Sequence, residues 1–209
     1  MILEACIETP DEARLAEKLG ASRLELCANL DKGGTTPEFR VAGKVIESVN
    51  IPVKVMIRPR AGNFVYSEFE VEIMQHTINH FKKLPVSGFV LGALTSNSKL
   101  EMDIITQLVE FAAPLPVTIH RCIDSITDPV SGVIQLMKIQ GIKSILTSGG
   151  AENAIEGADI LNAMVGAANG RMEIIAAGGI TRENLASVRE LIHAPSFHGR
   201  RIVGNLKVL

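Results

Sequence analysis

Short runs rich in Val, Ile and Leu recur along the chain, each followed by a stretch with helical spacing, and this alternation leaves few folds open. The runs stand at residues 3–7, 24–28, 52–57, 88–94, 117–120, 144–148, 173–178 and 196–199. Their length and composition suit strands buried on both faces, as in a parallel sheet. Helices are expected at 12–19, from Pro37 onward, and at 68–81, 100–112, 129–140, 154–168 and 183–192. Their ends carry the usual signals. Thr9 and Asp11 sit near the start of the first helix and Gly20 closes it, Pro37 sits where a missing N–H does no harm, Gly141 stops the fifth, and Thr181 is placed to cap the last. Alternating strands and helices imply right-handed crossovers in the α/β class. Eight strands favour a closed (β/α)8 TIM-type barrel, one domain over residues 1–209. Residues 205–209 are too few for a normal closing helix, so a short or vestigial final helix is expected. No Gly-x-Gly-x-x-Gly follows the first strand, which disfavours an open dinucleotide-binding sheet.

Composition narrows the function. Hydrophobic residues make up 46% and charged residues 21%, enough for a sizeable core without staples. Lys and Arg total 21 against 23 Asp and Glu, a net charge of −2, which argues against a surface that binds nucleic acid through bulk positive charge. With no Trp and one Tyr, stacking on single strands is also disfavoured. No stretch reaches the roughly 18 apolar residues of a membrane span. The N-terminal residues lack the basic start and apolar run of a signal peptide. Three cysteines with no C-x-x-C pair fit a reducing cytoplasm rather than a disulfide framework.

Candidate site residues follow from strand parity. Binding and catalytic groups of such barrels lie at the C-terminal strand ends, and successive side chains alternate between barrel interior and helix layer. Leu24 and Leu26 belong against helices, so Glu25 and Cys27 point inward, as do Glu4 and Cys6 on the first strand. The same parity sends Met56 and Arg58 inward on the third strand and Thr118, His120 and Cys122 on the fifth. Cys122 is assigned to packing. Glu4 and Glu25 together require Arg58 or Arg60 between them, or a proton on one. Arg58 and Arg60 beside Gly62 suit a carboxylate or phosphate, as do Arg121 after the fifth strand, Ser148 and Gly149 after the sixth, and Gly178 and Gly179 after the seventh. Glu25 and His120 are candidate general bases, and Asp124 joins them as the third candidate catalytic residue. Cys6, Cys27 and Met56 share inward parity on successive strands, and soft sulfur ligands select Cu(I). Packing alone would explain the cysteines equally well.

The strand-end motifs, taken in order, resemble the CutC family. They are Leu3-Glu4-Ala5-Cys6, Arg23-Leu24-Glu25-Leu26-Cys27-Ala28, Gly33-Gly34-Thr35-Thr36-Pro37, Ile57-Arg58-Pro59-Arg60 with Tyr66-Ser67, Thr118-Ile119-His120-Arg121 with Asp124, Leu146-Thr147-Ser148-Gly149, and Ala177-Gly178-Gly179 before Glu183-Asn184-Leu185. The resemblance implies a (β/α)8 barrel, a cytoplasmic homo-oligomer, a role in copper homeostasis and Cu(I) bound by Cys6 and Cys27. The chain departs from the family pattern at Ile7, where some relatives carry a second cysteine, and at His198-Gly199-Arg200-Arg201, where relatives more often carry small hydroxyl residues. Two functions stand side by side. One is copper binding. The other is a barrel enzyme acting on a small phosphorylated or carboxylated metabolite, which the oxygen and nitrogen groups at the mouth suit better than they suit a copper carrier.

Overall fold

The helix starts are written in short polar signals. In the computed structural model, which describes residues 1–206, α1 (Pro10–Lys18) follows β1 (Ile2–Ile7), and Thr9 accepts from the Glu12 N–H while Pro10 occupies the first turn. β2 (Arg23–Leu26), α2 (Phe39–Glu47) and β3 (Val53–Met56) come next. α3 (Glu68–Phe81) opens with a reciprocal capping box between Ser67 and Glu70. Then come β4 (Gly88–Leu91), α4 (Met102–Ala112) and β5 (Val117–Ile119). α5 (Pro129–Leu136), capped by Asp128, precedes β6 (Ile142–Thr147). The chain continues through α6 (Ala158–Ala168), β7 (Glu173–Ala176), α7 (Leu185–Leu191) and β8 (Ser196–Gly199). The eight strands pair in parallel, each with its sequence neighbours, and β8 closes on β1 through Glu4 opposite His198. No helix follows β8 among the described residues.

Several element limits differ from those read in the sequence. α2 begins at Phe39 rather than Pro37 because Thr36 is tied to Arg58: its N–H and hydroxyl donate to the Arg58 carbonyl, and its hydroxyl accepts from the Arg58 N–H. α4 starts two residues late because Leu100 bridges Leu94. α5 ends at Leu136, four residues before Gln140. α6 starts at Ala158 because Asn153 turns the chain, its side-chain oxygen accepting from the Ile155 and Glu156 N–H groups. Thr181 does not cap α7; the N-cap is Asn184, whose side chain accepts from the Thr181 N–H.

The apolar core fills the space between strands and helices. Ile7, Leu24, Leu26, Val55, Ile57, Phe89 and Ile119 are fully buried there. The barrel interior is different, since its lower half is ionic. Glu4 takes the Arg23 guanidinium, the Lys54 ammonium at 3.3 Å and His198 Nδ1 at 3.0 Å. Lys54 also donates to Thr118 at 2.8 Å, and Thr118 shares a 2.7 Å hydroxyl bond with Ser144. Arg23 reaches on to Glu173 at 3.0 Å, and Glu173 accepts from Ser196. The residues that balance Glu4 are therefore Arg23, Lys54 and His198, not Arg58 or Arg60. No helix of the described residues is long and apolar enough to cross a membrane.

Candidate functional site

Above this ionic floor the barrel opens into a cavity of about 180 Å³. One side is made by the ends of β1, β2 and β8, which bring Cys6, Glu25, Cys27 and His198 together. The other is made by the segments after β3 and β5, carrying Arg58, Phe64, His120 and Arg121. Met56, Leu146 and Leu30 supply apolar wall between them.

On the first side, one ligand atom each from Cys6, Glu25 and Cys27 lies within 4.8 Å of the others, and all three residues are buried. Both cysteines are free thiols. Their protonation is graded by their contacts. A hydrogen bond with Cys27, aided by His198 and opposed by burial, brings the Cys6 thiol down to about 6. The same bond, with burial and the Glu25 charge, pushes Cys27 up. Burial lifts Glu25 to about 8, against the opposing charge of His198, so its carboxyl holds a proton at neutral pH. This answers the sequence-level requirement that Glu4 and Glu25 not both be charged without relief. His198 stands between them, with Nδ1 on Glu4 and Nε2 at 3.5 Å from Glu25. Burial opposes its charge, but Glu25, Cys6 and Glu4 outweigh it and raise its pKa. Glu4 moves the opposite way. Its burial is overcome by the His198 hydrogen bond and by the charges of Lys54, His198 and Arg23, which hold its carboxyl well below the usual range.

On the second side, Arg58 donates to the carbonyls of Gly33 and Gly34, both at 2.9 Å, and of Gly62 at 2.7 Å. Its guanidinium lies over the Phe64 ring at 4.7 Å, and the His120 ring meets the same phenyl at 4.8 Å. His120 Nδ1 accepts from the Cys122 N–H, while burial and the Arg58 charge push the ring down to about 3 and keep it neutral. Gly92 makes the room: a Cβ there would stand 2.5 Å from the Cys122 sulfur and 3.0 Å from the His120 ring. Cys122 is packed in the core, as assigned from the sequence. Three buried polar atoms of the lining residues have no hydrogen-bond partner among the described groups: Glu25 Oε1, His120 Nε2 and Arg58 Nε.

The remaining candidates lie around the rim. Arg60 turns away, bound to Glu70 and to the carbonyls of Asn63 and Val65. Asp124 is enclosed by donors: the Arg121 guanidinium at 2.8 Å, the Thr147 hydroxyl, the Ser148 hydroxyl at 2.9 Å, and the Ser148 and Gly150 N–H groups. An internal carboxylate thus occupies the backbone nest at the end of β6. The Gly149 N–H donates to the Thr147 hydroxyl. Gly178 and Gly179, both in left-handed backbone, pack against Asn153, and the Gly178 carbonyl accepts from the Ala154 N–H. Sequence reasoning did not select His198, Lys54, Arg23 or Phe64. Extending the inward parity of Glu25 and Met56 by one pair would have reached Arg23 and Lys54, and the same parity on the last strand, with Phe197 against the helices, would have turned His198 inward; nothing local marked Phe64.

The CutC family profile matches residues 1–202. A mouse relative described as a copper homeostasis protein cutC homolog is 41% identical over 197 residues, covering 94% of this chain and 72% of the relative. A solved CutC structure from Streptococcus agalactiae superposes with a TM-score of 0.90 at 37% identity, covering 97% of this chain and 99% of that one. Phosphonopyruvate hydrolase superposes at 0.66 with 12% identity over 97% of this chain and 76% of its own, a likeness of fold alone. The ordered strand-end motifs, the closed barrel and these matches agree, and the chain belongs to the CutC family.

Proposed function

We propose that the protein serves copper homeostasis by binding Cu(I) through Cys6 and Cys27. The observation that supports this reading is the buried Cys6–Glu25–Cys27 group, whose ligand atoms lie within 4.8 Å of one another. Two sulfurs suit a soft monovalent ion, and the adjoining Met56 wall is soft and apolar. Cys6 is already disposed to ionise, and the His198 charge beside it offsets the negative charge that two thiolates bring. Relatives named for copper homeostasis point the same way. Anaerobic competition against a chromogenic Cu(I) chelator tests it. One equivalent is withheld by the wild type and released by Cys6→Ser/Cys27→Ser; a wild type that withholds none sinks the reading.

A second reading is favoured by a different observation, the three unpartnered buried atoms Glu25 Oε1, His120 Nε2 and Arg58 Nε. Native interiors leave few such groups, a bound water, ion or ligand being one way to satisfy them, and three of the six such atoms among the described residues belong to side chains that line this one cavity. In this reading the cavity acts on a small anionic metabolite. Glu25, which holds a proton at neutral pH, handles its protons, and the neutral His120 serves as a hydrogen-bond donor through Nε2 and not as the general base expected from the sequence. Arg58 meets its charge, and Asp124 positions Arg121 and the β6 end.

A further inference from the structure

We infer that Arg58 and His120 form a receptor for the carboxylate of a short hydroxy- or oxo-monocarboxylic acid, whose body lies against Met56, Phe64 and Leu146. This rests on the second reading and names its ligand. Arg58 is 5% exposed and takes part in no ion pair among the described residues; three neutral carbonyls hold its terminal nitrogens. A buried cation without a counter-charge is costly, and an anion in the cavity that Arg58 lines supplies one. His120 presents the second donor. Because Nδ1 accepts from the Cys122 N–H, the proton of the neutral ring resides on Nε2. Phe64 touches both the guanidinium and the imidazole, which fixes the two in one wall.

The charge count selects a monoanion. One cation in this wall lacks a partner, His120 is neutral, and the Arg121 charge is spent on Asp124. A phosphate dianion would need more positive charge than the wall holds, and the β6 nest that would suit it contains the Asp124 carboxylate. Glu25, which lines the same cavity and keeps its carboxyl protonated, offers one more polar contact, which a hydroxyl or carbonyl next to the carboxylate can take. The volume of about 180 Å³ is below the roughly 300 Å³ at which drug-sized pockets begin, so the body is a few carbons.

The full chain, labelled with [15N]histidine, is titrated with glycolate, lactate, 2-oxobutyrate and inorganic phosphate, with affinities taken by calorimetry. The expected result is a saturable shift of the His120 Nε2 resonance by the monocarboxylates. His120→Asn and Arg58→Gln lower their affinity at least tenfold, and Arg60→Ala leaves it unchanged. Arg58→Gln loses three backbone contacts and folds less readily, so His120→Asn carries the test alone if needed; its Cu(I) titration matches the wild type. Saturation by phosphate alone overturns the ligand class while leaving an anion site, and no response to any anion overturns both. Unaltered monocarboxylate affinity in His120→Asn places the binding elsewhere and overturns the proposal.

Discussion

The two halves of the barrel interior use the same residue types to opposite ends. Below, every charge has an opposite charge against it: Glu4 with Arg23, Lys54 and His198, and Arg23 again with Glu173. Above, Arg58 rests on neutral carbonyls, and Glu25, His120 and Arg58 each keep one atom unpartnered. Charge closure makes the lower half a structural plug. The upper half differs in holding a buried cation, Arg58, with no counter-charge among the described residues, and the proposed anion site rests on that difference. His198 belongs to both, linking the Glu4 floor to the Glu25 and Cys6 wall.

One substitution made in each half exposes the contrast most strongly. Glu4→Gln removes the single anion facing three cationic groups, and urea unfolding should show a loss of about 3–5 kcal/mol, the usual cost of breaking a buried pair. Glu25→Gln replaces a protonated carboxyl by an isosteric amide and should cost less than about 1 kcal/mol. Equal losses would mean that Glu25 is charged and that the two halves do not differ as described.

The pH dependence of stability gives a second, smaller separation. Glu25 and His198 have raised pKa values, so between about pH 6.5 and 8 the native state keeps two protons that the unfolded chain has shed. Cys6, lowered to about 6, has lost one that the unfolded chain retains. The native state thus holds one proton more from this group of residues, and their contribution to stability falls as pH rises through that window. Glu25→Gln removes the excess, and the difference between variant and wild type should shift in favour of the variant from pH 6.5 to 8. A constant difference across the window contradicts the protonated Glu25. The smallest effect is expected at the rim. The Arg60 side chain is 38% exposed, and Arg60→Ala should cost no more than about 1 kcal/mol by thermal unfolding. A larger loss would show that the β3 loop contributes to the barrel as strongly as its floor does.

Much of the architecture was legible because it is repetitive. Each strand is a short aliphatic run, and a parity of two fixed the inward direction of Glu4, Cys6, Glu25, Cys27, Met56, Arg58 and His120 before any contact was known. Contacts between strands were not legible. Parity alone left the balancing of Glu4 to Arg58 or Arg60, because both follow β3, whereas the register brings Arg23 beside Glu4 and His198 across the closing seam. The count of eight strands already implied that β8 closes on β1, but no local pattern announces which residues meet across that seam, Glu4 and His198 among them. Helix starts were misplaced where a loop bond outranks a propensity, as at Thr36, Leu100 and Asn153.

The Asp124 carboxylate in the β6 nest has a consequence for selectivity. A tethered group competes at the high effective concentration set by its short tether, while a phosphorylated metabolite competes only at its free concentration. An external anion at the end of β6 therefore has to displace a carboxylate already held there by the Ser148 and Gly150 N–H groups and the Ser148 hydroxyl, so that turn discriminates by occupancy and not by shape.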